Sequence, residues 1–208
     1  MTEAVINTFI TLLVIINPFA VTSIFIDSTQ NYDSSTKNRI INKAVLISTT
    51  LLVIFAFLGD FILDILGISE YAFRIAGGVI LGIAGLDMVM AKQASIQSPT
   101  KDELPAKDNI TDIAVFPMSI PLMAGPGSLT TIVLMMREAQ ERDPYQQIYV
   151  IGSMLTVLVI TWIIMKSSKW VLKAFRKSGI NVITRVFGII LCGIAIQNIL
   201  DGIRVFIN

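Results

Sequence analysis

The sequence predicts an all-α, polytopic membrane protein of six transmembrane helices, arranged as two inverted three-helix repeats with helices one and four broken at the midplane. Three observations carry this reading. Of the 208 residues, 54% are hydrophobic and only 15% charged, where a soluble domain carries roughly 25% charged residues. Lys and Arg cluster in alternate loops. A proline-containing helix breaker recurs at matched depth in the two halves.

A spanning helix needs about 20 apolar residues, and six segments come close: 4–26, 44–66, 71–91, 113–136, 148–165 and 182–200. The first follows Met1-Thr2-Glu3 without a basic leader and is too long for a cleavable signal, so it reads as a retained helix. The second ends with Asp60 and Asp64, and Glu70 follows it. The third holds Gly77, Gly78, Gly82 and Gly85, and the Gly78–Gly82 spacing suits close helix packing. Polar residues with Pro99 and Pro105 then divide the chain into a first repeat (1–97), a polar linker (98–112) and a second repeat (113–208). Trp162 and Trp170 flank the polar end of the fifth segment, and Trp170 reads as an interfacial residue. Gly188 and Gly193 give the sixth segment its own small-residue face.

Loop charge orients the bundle. With the N-terminus outside, the inner loops hold Lys37, Arg39 and Lys43, then Lys92, Lys101 and Lys107, then Lys166, Lys169, Lys173, Arg176 and Lys177. Cytoplasmic loops carry such an excess, so both termini are expected outside, in the periplasm of a cell with an inner membrane. The halves also match each other. A shift of 111 residues aligns Arg74-Ile75-Ala76-Gly77 with Arg185-Val186-Phe187-Gly188, and Asp87 with Asn198. A shift of 108 aligns Asn17-Pro18 with Gly125-Pro126. Three helices per half reverse the direction of entry, which makes the repeat inverted, a plan that recurs in transporters.

Asn17-Pro18 lies roughly 20 Å along helix one and Gly125-Pro126 roughly 18 Å along helix four, at 1.5 Å per residue. Both fall near the middle of a core about 30 Å thick. The local pattern is that of a helix start, with Asn17 or Gly125 as N-cap and proline at the first helical position. Two new half-helices would then begin at the midplane and run to opposite faces. Their unpaired amides and positive dipole ends suit an anion. Carbonyls that the prolines free, those of Val14, Pro117 and Leu122, suit a cation. Amides beside carbonyls describe a zwitterion site. The expected substrate-binding residues are Asn17, Pro18, Phe19, Ala20, Thr22, Gly125, Pro126, Gly127, Ser128 and Thr130. Phe19 would limit ligand size, and the hydroxyls of Thr22, Ser128 and Thr130 would donate.

Asp87 and Asn198 are the candidates for coupling or gating, because an intramembrane acid is expensive and often functional. Arg74 and Arg185 read as interfacial anchors. The chain has no histidine, which excludes histidine-based catalysis, relays and zinc sites. Its one cysteine, Cys192, reads as a packing residue, and the acids Asp60 and Asp87 are too far apart in depth for an aspartyl protease. An enzyme is not expected. No nucleotide motif occurs, and a net charge of +1 gives no reason to expect nucleic acid.

At Asn17-Pro18 and at Pro121-Leu122-Met123-Ala124-Gly125-Pro126-Gly127 the chain resembles the MarC family, also called the small neutral amino acid transporter family, of the LysE-like superfamily. The resemblance covers the whole chain and departs at Ala20, where the family's first helix usually has an NPxG-like form. It implies a carrier of glycine or alanine, in agreement with the zwitterion argument. The expected partners are a small zwitterion, the lipid bilayer and a coupling H⁺ or Na⁺, with no cofactor and no metal; a homo-oligomer is left open. Export of another small solute and a non-transporting assembly role are the alternatives.

Overall fold

Each apolar run becomes a helix because only helices satisfy their own backbone in hydrocarbon. The structure is a computed structural model and describes residues 2–90, 113–142 and 144–207. The first half holds α1 (Thr2–Ile16), α2 (Pro18–Ser28), α3 (Ser34–Leu66) and α4 (Glu70–Met90). The second holds α5 (Ala114–Met123), α6 (Pro126–Arg142), α7 (Pro144–Lys166) and α8 (Ser168–Ile207). No strand occurs among the described residues. Five helical spans are long and apolar enough to cross a membrane, and α5 with α6, bent by 51°, supplies a sixth. Leu46, Phe57, Phe61 and Ile189 point outward, each more than 60% exposed, as a lipid-facing surface requires.

Several spans run past their expected ends, because hydropathy registers the apolar stretch and not the polar turns that continue the helix. α3 starts at Ser34, where Asp33 caps it by accepting from the amides of Ser35 (3.1 Å) and Thr36 (3.3 Å). It stops at Gly67, whose left-handed backbone (φ 65°) lets its amide reach Asp64 O and that of Ile68 reach Leu63 O. α8 begins at Ser168, well before the expected 182, and kinks at Arg176 (φ 51°). The expected linker at 98–112 and residue 91 of the third segment lie outside the described residues.

The fourth span departs most from expectation. Its first half is not a regular helix: Phe116 and Ile120 have extended dihedrals, the peptides before Pro117 and Pro121 are cis, and Ala124 N bonds back five residues to Ser119 O. Two prolines within five residues remove two of the amides a regular helix would use. Ser119 holds the segment in place instead, its hydroxyl reaching Ala114 O (2.7 Å) and Ala44 O of α3 (2.9 Å).

Glycines set a close helix contact between α4 and α8. A Cβ on Gly78 would lie 2.8 Å from Ala195 O, one on Gly188 2.8 Å from Gly85 O, and one on Gly202 2.9 Å from Tyr71 O. The small-residue face therefore packs as its spacing predicts. Two apolar cores result. Leu12 and Ile16 of α1 join the larger with Phe25, Ile40, Met118 and Met154. Val14 and Ile15 join the smaller with Leu81 and Leu191. The end of α1 thus lies on the seam between them.

Candidate functional site

The break in the first span is the expected N-cap. Asn17 Oδ1 accepts from the amide of Ala20 (3.2 Å), Pro18 takes the first helical position, and Asn17 itself is left-handed (φ 46°, ψ 74°). Asparagine suits both demands: it caps, and it tolerates left-handed backbone better than most residues. The Asn17 amide still closes α1 on Leu13 O (3.0 Å), while Pro18 has no N–H to offer Val14 O.

The second break has a different cause for its glycine. A Cβ on Gly125 would lie 2.0 Å from Pro121 O, so the looped backbone of α5 leaves no room for one. Beyond it α6 starts at Pro126, as expected. A Cβ on Gly127 would instead meet the side-chain end of Leu81 on α4, at 2.8 Å.

Both breaks open on one cavity of about 40 Å³ on the seam between the two cores. Asn17 and Ala20 line it from the first break, and Gly125, Pro126, Gly127 and Ser128 from the second. Apolar side chains of α4 and α8, among them Leu81, Ala84 and Leu191, close it. The first-turn amides of α6 have no partner within their own helix. Asn17, 3% exposed, lines this cavity, and its side-chain amide nitrogen has no hydrogen-bond partner among the described residues.

Other expected site residues stand elsewhere or are already engaged. The ring of Phe19 packs edge-on against Phe175 (5.9 Å between centroids) and Phe187 (6.5 Å), and does not line the cavity. The Ser128 hydroxyl donates to Met123 O (2.9 Å) and Gly125 O (3.0 Å), and that of Thr130 to Pro126 O (2.8 Å). The Ser128 hydroxyl thereby satisfies a carbonyl just before the break, whereas that of Thr130 bonds back within the first turn of α6. Thr22, fully buried, keeps a hydroxyl without a partner among the described residues; it follows the cavity-lining Val21 on α2 but does not itself line the cavity. Asp87 is buried (6% exposed) one turn from the end of α4, beside the cavity-lining Met88, and Asn198 is half-buried on α8; neither lines the cavity.

An ion-pair network at the face carrying the chain termini went unread in the sequence. Arg74 pairs with Glu70 (2.7 Å) and with Glu138, its side chain only 12% exposed. Arg137 reaches Asp60 (2.5 Å), Glu70 (3.4 Å) and Asp64 (3.6 Å). Arg74 is therefore more than an interfacial anchor: with Arg137 it ties the far end of α6 to α3 and α4. Arg185, by contrast, is exposed. The available signal was the four-residue spacing of Glu70 and Arg74 on one helix face.

No solved structure matches the chain. Among curated proteins it is similar to the UPF0056 membrane protein MJ1677 of Methanocaldococcus jannaschii, 38% identical over 94% of each chain. It is also similar to YvbG of Bacillus subtilis (30% identical; 96% of this chain, 94% of that one) and YhcE of Escherichia coli (31%; 94% and 90%). A family profile described as MarC family integral membrane protein matches residues 2–207. Near-complete coverage by that profile, on a chain with six candidate spans, places this protein in the MarC family of integral membrane proteins.

Proposed function

We propose that this chain is a secondary carrier that moves small neutral amino acids, glycine- or alanine-sized zwitterions, by alternating access. One observation carries the reading: both broken helices begin new half-helices at a single cavity, beside the unpartnered amide of Asn17. The dipole ends and first-turn amides there favour a carboxylate. Leu122 lines the cavity, and its carbonyl, to which Pro126 offers no amide, favours an ammonium. Apolar walls leave room for a small side chain only. At about 40 Å³ the cavity is closed down, so substrate entry requires the two three-helix halves to move apart, rocking as inverted repeats about the midplane. Asp87 is our candidate for H⁺ or Na⁺ coupling, being buried beside the cavity-lining Met88, with Asn198 as its repeat mate. Loop lysines support an inner-membrane orientation with both termini outside.

Flux of labelled glycine and alanine into proteoliposomes, with imposed pH and Na⁺ gradients, tests this. Saturable uptake is expected, lowered by Asn17→Asp, which puts a fixed carboxylate where the substrate's should sit. Uptake no greater than that of protein-free vesicles refutes the reading.

A further inference from the structure

A second and larger cleft, about 270 Å³, opens at the face carrying the chain termini, between the start of α1, the end of α6 and the start of α7. Its polar lining includes Thr8 and Thr11 of α1, Glu138 and Arg142 of α6, and Gln146 of α7. Glu138 and Arg142 are four residues apart on one helix and so share a face. They form no ion pair with each other: Glu138 is held by Arg74 through one carboxylate oxygen, leaving the other, and the exposed Arg142 makes no ion pair among the described residues. Among the described residues the cleft therefore presents one cation and one anion, each with capacity left, in a space slightly below the roughly 300–1,000 Å³ of pockets for drug-sized ligands.

The cleft and the central cavity share two helices. On α6 the residues Ser128, Thr131, Met135, Glu138 and Arg142 recur at three- or four-residue steps; the first lines the cavity and the last three the cleft. On α1 Thr8 and Thr11 line the cleft and Ile15 the cavity at the same spacing. Thr131 stands between, 4% exposed, with a hydroxyl that has no partner among the described residues. A buried hydroxyl without a partner is unfavourable, and a solute or water passing between the two chambers would satisfy it.

We propose that this cleft is a second binding site for the carried zwitterion, a waiting site on the path to the central cavity. Arg142 takes the carboxylate, the open oxygen of Glu138 takes the ammonium, and Thr131 marks the way inward. The inference rests on the amino acid carrier reading, and its test separates the two. Binding of tritiated alanine to the purified full-length protein in detergent is measured to saturation, each variant first being shown to elute as a single species.

Two sites per chain are expected. Arg142→Gln should weaken one by about ten- to hundredfold, the value of a charge-assisted hydrogen bond of about 1.5–3 kcal/mol, and leave the other. Gly127→Leu, or Asn17→Asp if that variant does not fold, should do the converse. One site sensitive only to the central variants overturns the cleft and keeps the carrier reading. One site sensitive only to Arg142→Gln keeps the cleft and overturns the central site. Two sites untouched by Arg142→Gln overturn the cleft, and no binding by the wild type overturns both.

Discussion

Replacing Asn17 separates the two reasons for an asparagine at the first break. Asn17→Ala removes the cap that the Ala20 amide uses and puts a Cβ-bearing residue without a local hydrogen bond at φ 46°. Loss of a cap costs about 1 kcal/mol and left-handed backbone about 1–2 kcal/mol, so the sum is about 2–3 kcal/mol. At about 2–4 °C per kcal/mol for a chain of this length, Tm should fall by about 4–12 °C. Asn17→Gly adopts the same backbone freely and loses only a few tenths of a kcal/mol of capping. It should therefore stay within about 2 °C of the wild type. The assay is thermal unfolding in detergent, followed by loss of the monodisperse peak on size exclusion. An alanine variant as stable as the wild type, or a glycine variant as damaged as the alanine one, would falsify the argument that cap and conformation together select this residue.

Other perturbations have contrasting expected signs. Gly125→Ala places a methyl 2.0 Å from a backbone oxygen and should cost about 1–3 kcal/mol, whereas Gly127→Ala meets only the flexible end of Leu81 and should cost less; equal Tm values for the two would contradict this ranking. Arg74→Gln leaves Glu70 (12% exposed, still paired with Arg137) and the more exposed Glu138 (36%) without their shared cation, so about 1–2 kcal/mol should be lost, between exposed and buried pairs. The double variant with Glu138→Gln should recover part of that loss in a thermal-shift cycle; strict additivity would argue against the pair. Gly188→Leu should separate α4 from α8, because even a Cβ there meets Gly85 O at 2.8 Å, and cysteine crosslinking between these helices should fall.

Architecture was legible in the sequence because a bilayer imposes its constraints locally. An apolar run facing lipid must satisfy its own backbone and so forms a helix, and the irregular 114–123 segment, mostly buried in the protein, is the exception. The cap at Asn17-Pro18 was legible for the same reason: it is made by four consecutive residues. Likewise Gly78 and Gly82 read as a packing face, and that face meets α8. What failed was inference about where side chains point. Phe19 follows the break and looked like a cavity wall, yet its ring turns to Phe175 and Phe187, more than 150 residues away in the chain. Ser128 and Thr130 looked like free donors, but Ser128 bonds to the Met123 carbonyl just before the break and Thr130 bonds back to Pro126 within its own helix.

The sequence by itself determined the number of spans, the two breaks and the helix starts at Pro18 and Pro126, since these follow from composition and short-range hydrogen bonding. Only the tertiary structure decided that both breaks open on one cavity. It also showed that Gly125 makes room for the Pro121 carbonyl, and that Arg74 and Arg137 join α6 to α3 and α4. Each of these depends on the approach of segments or carbonyls through space. Such approach is set by how helices pack, and residue order along one helix does not encode it.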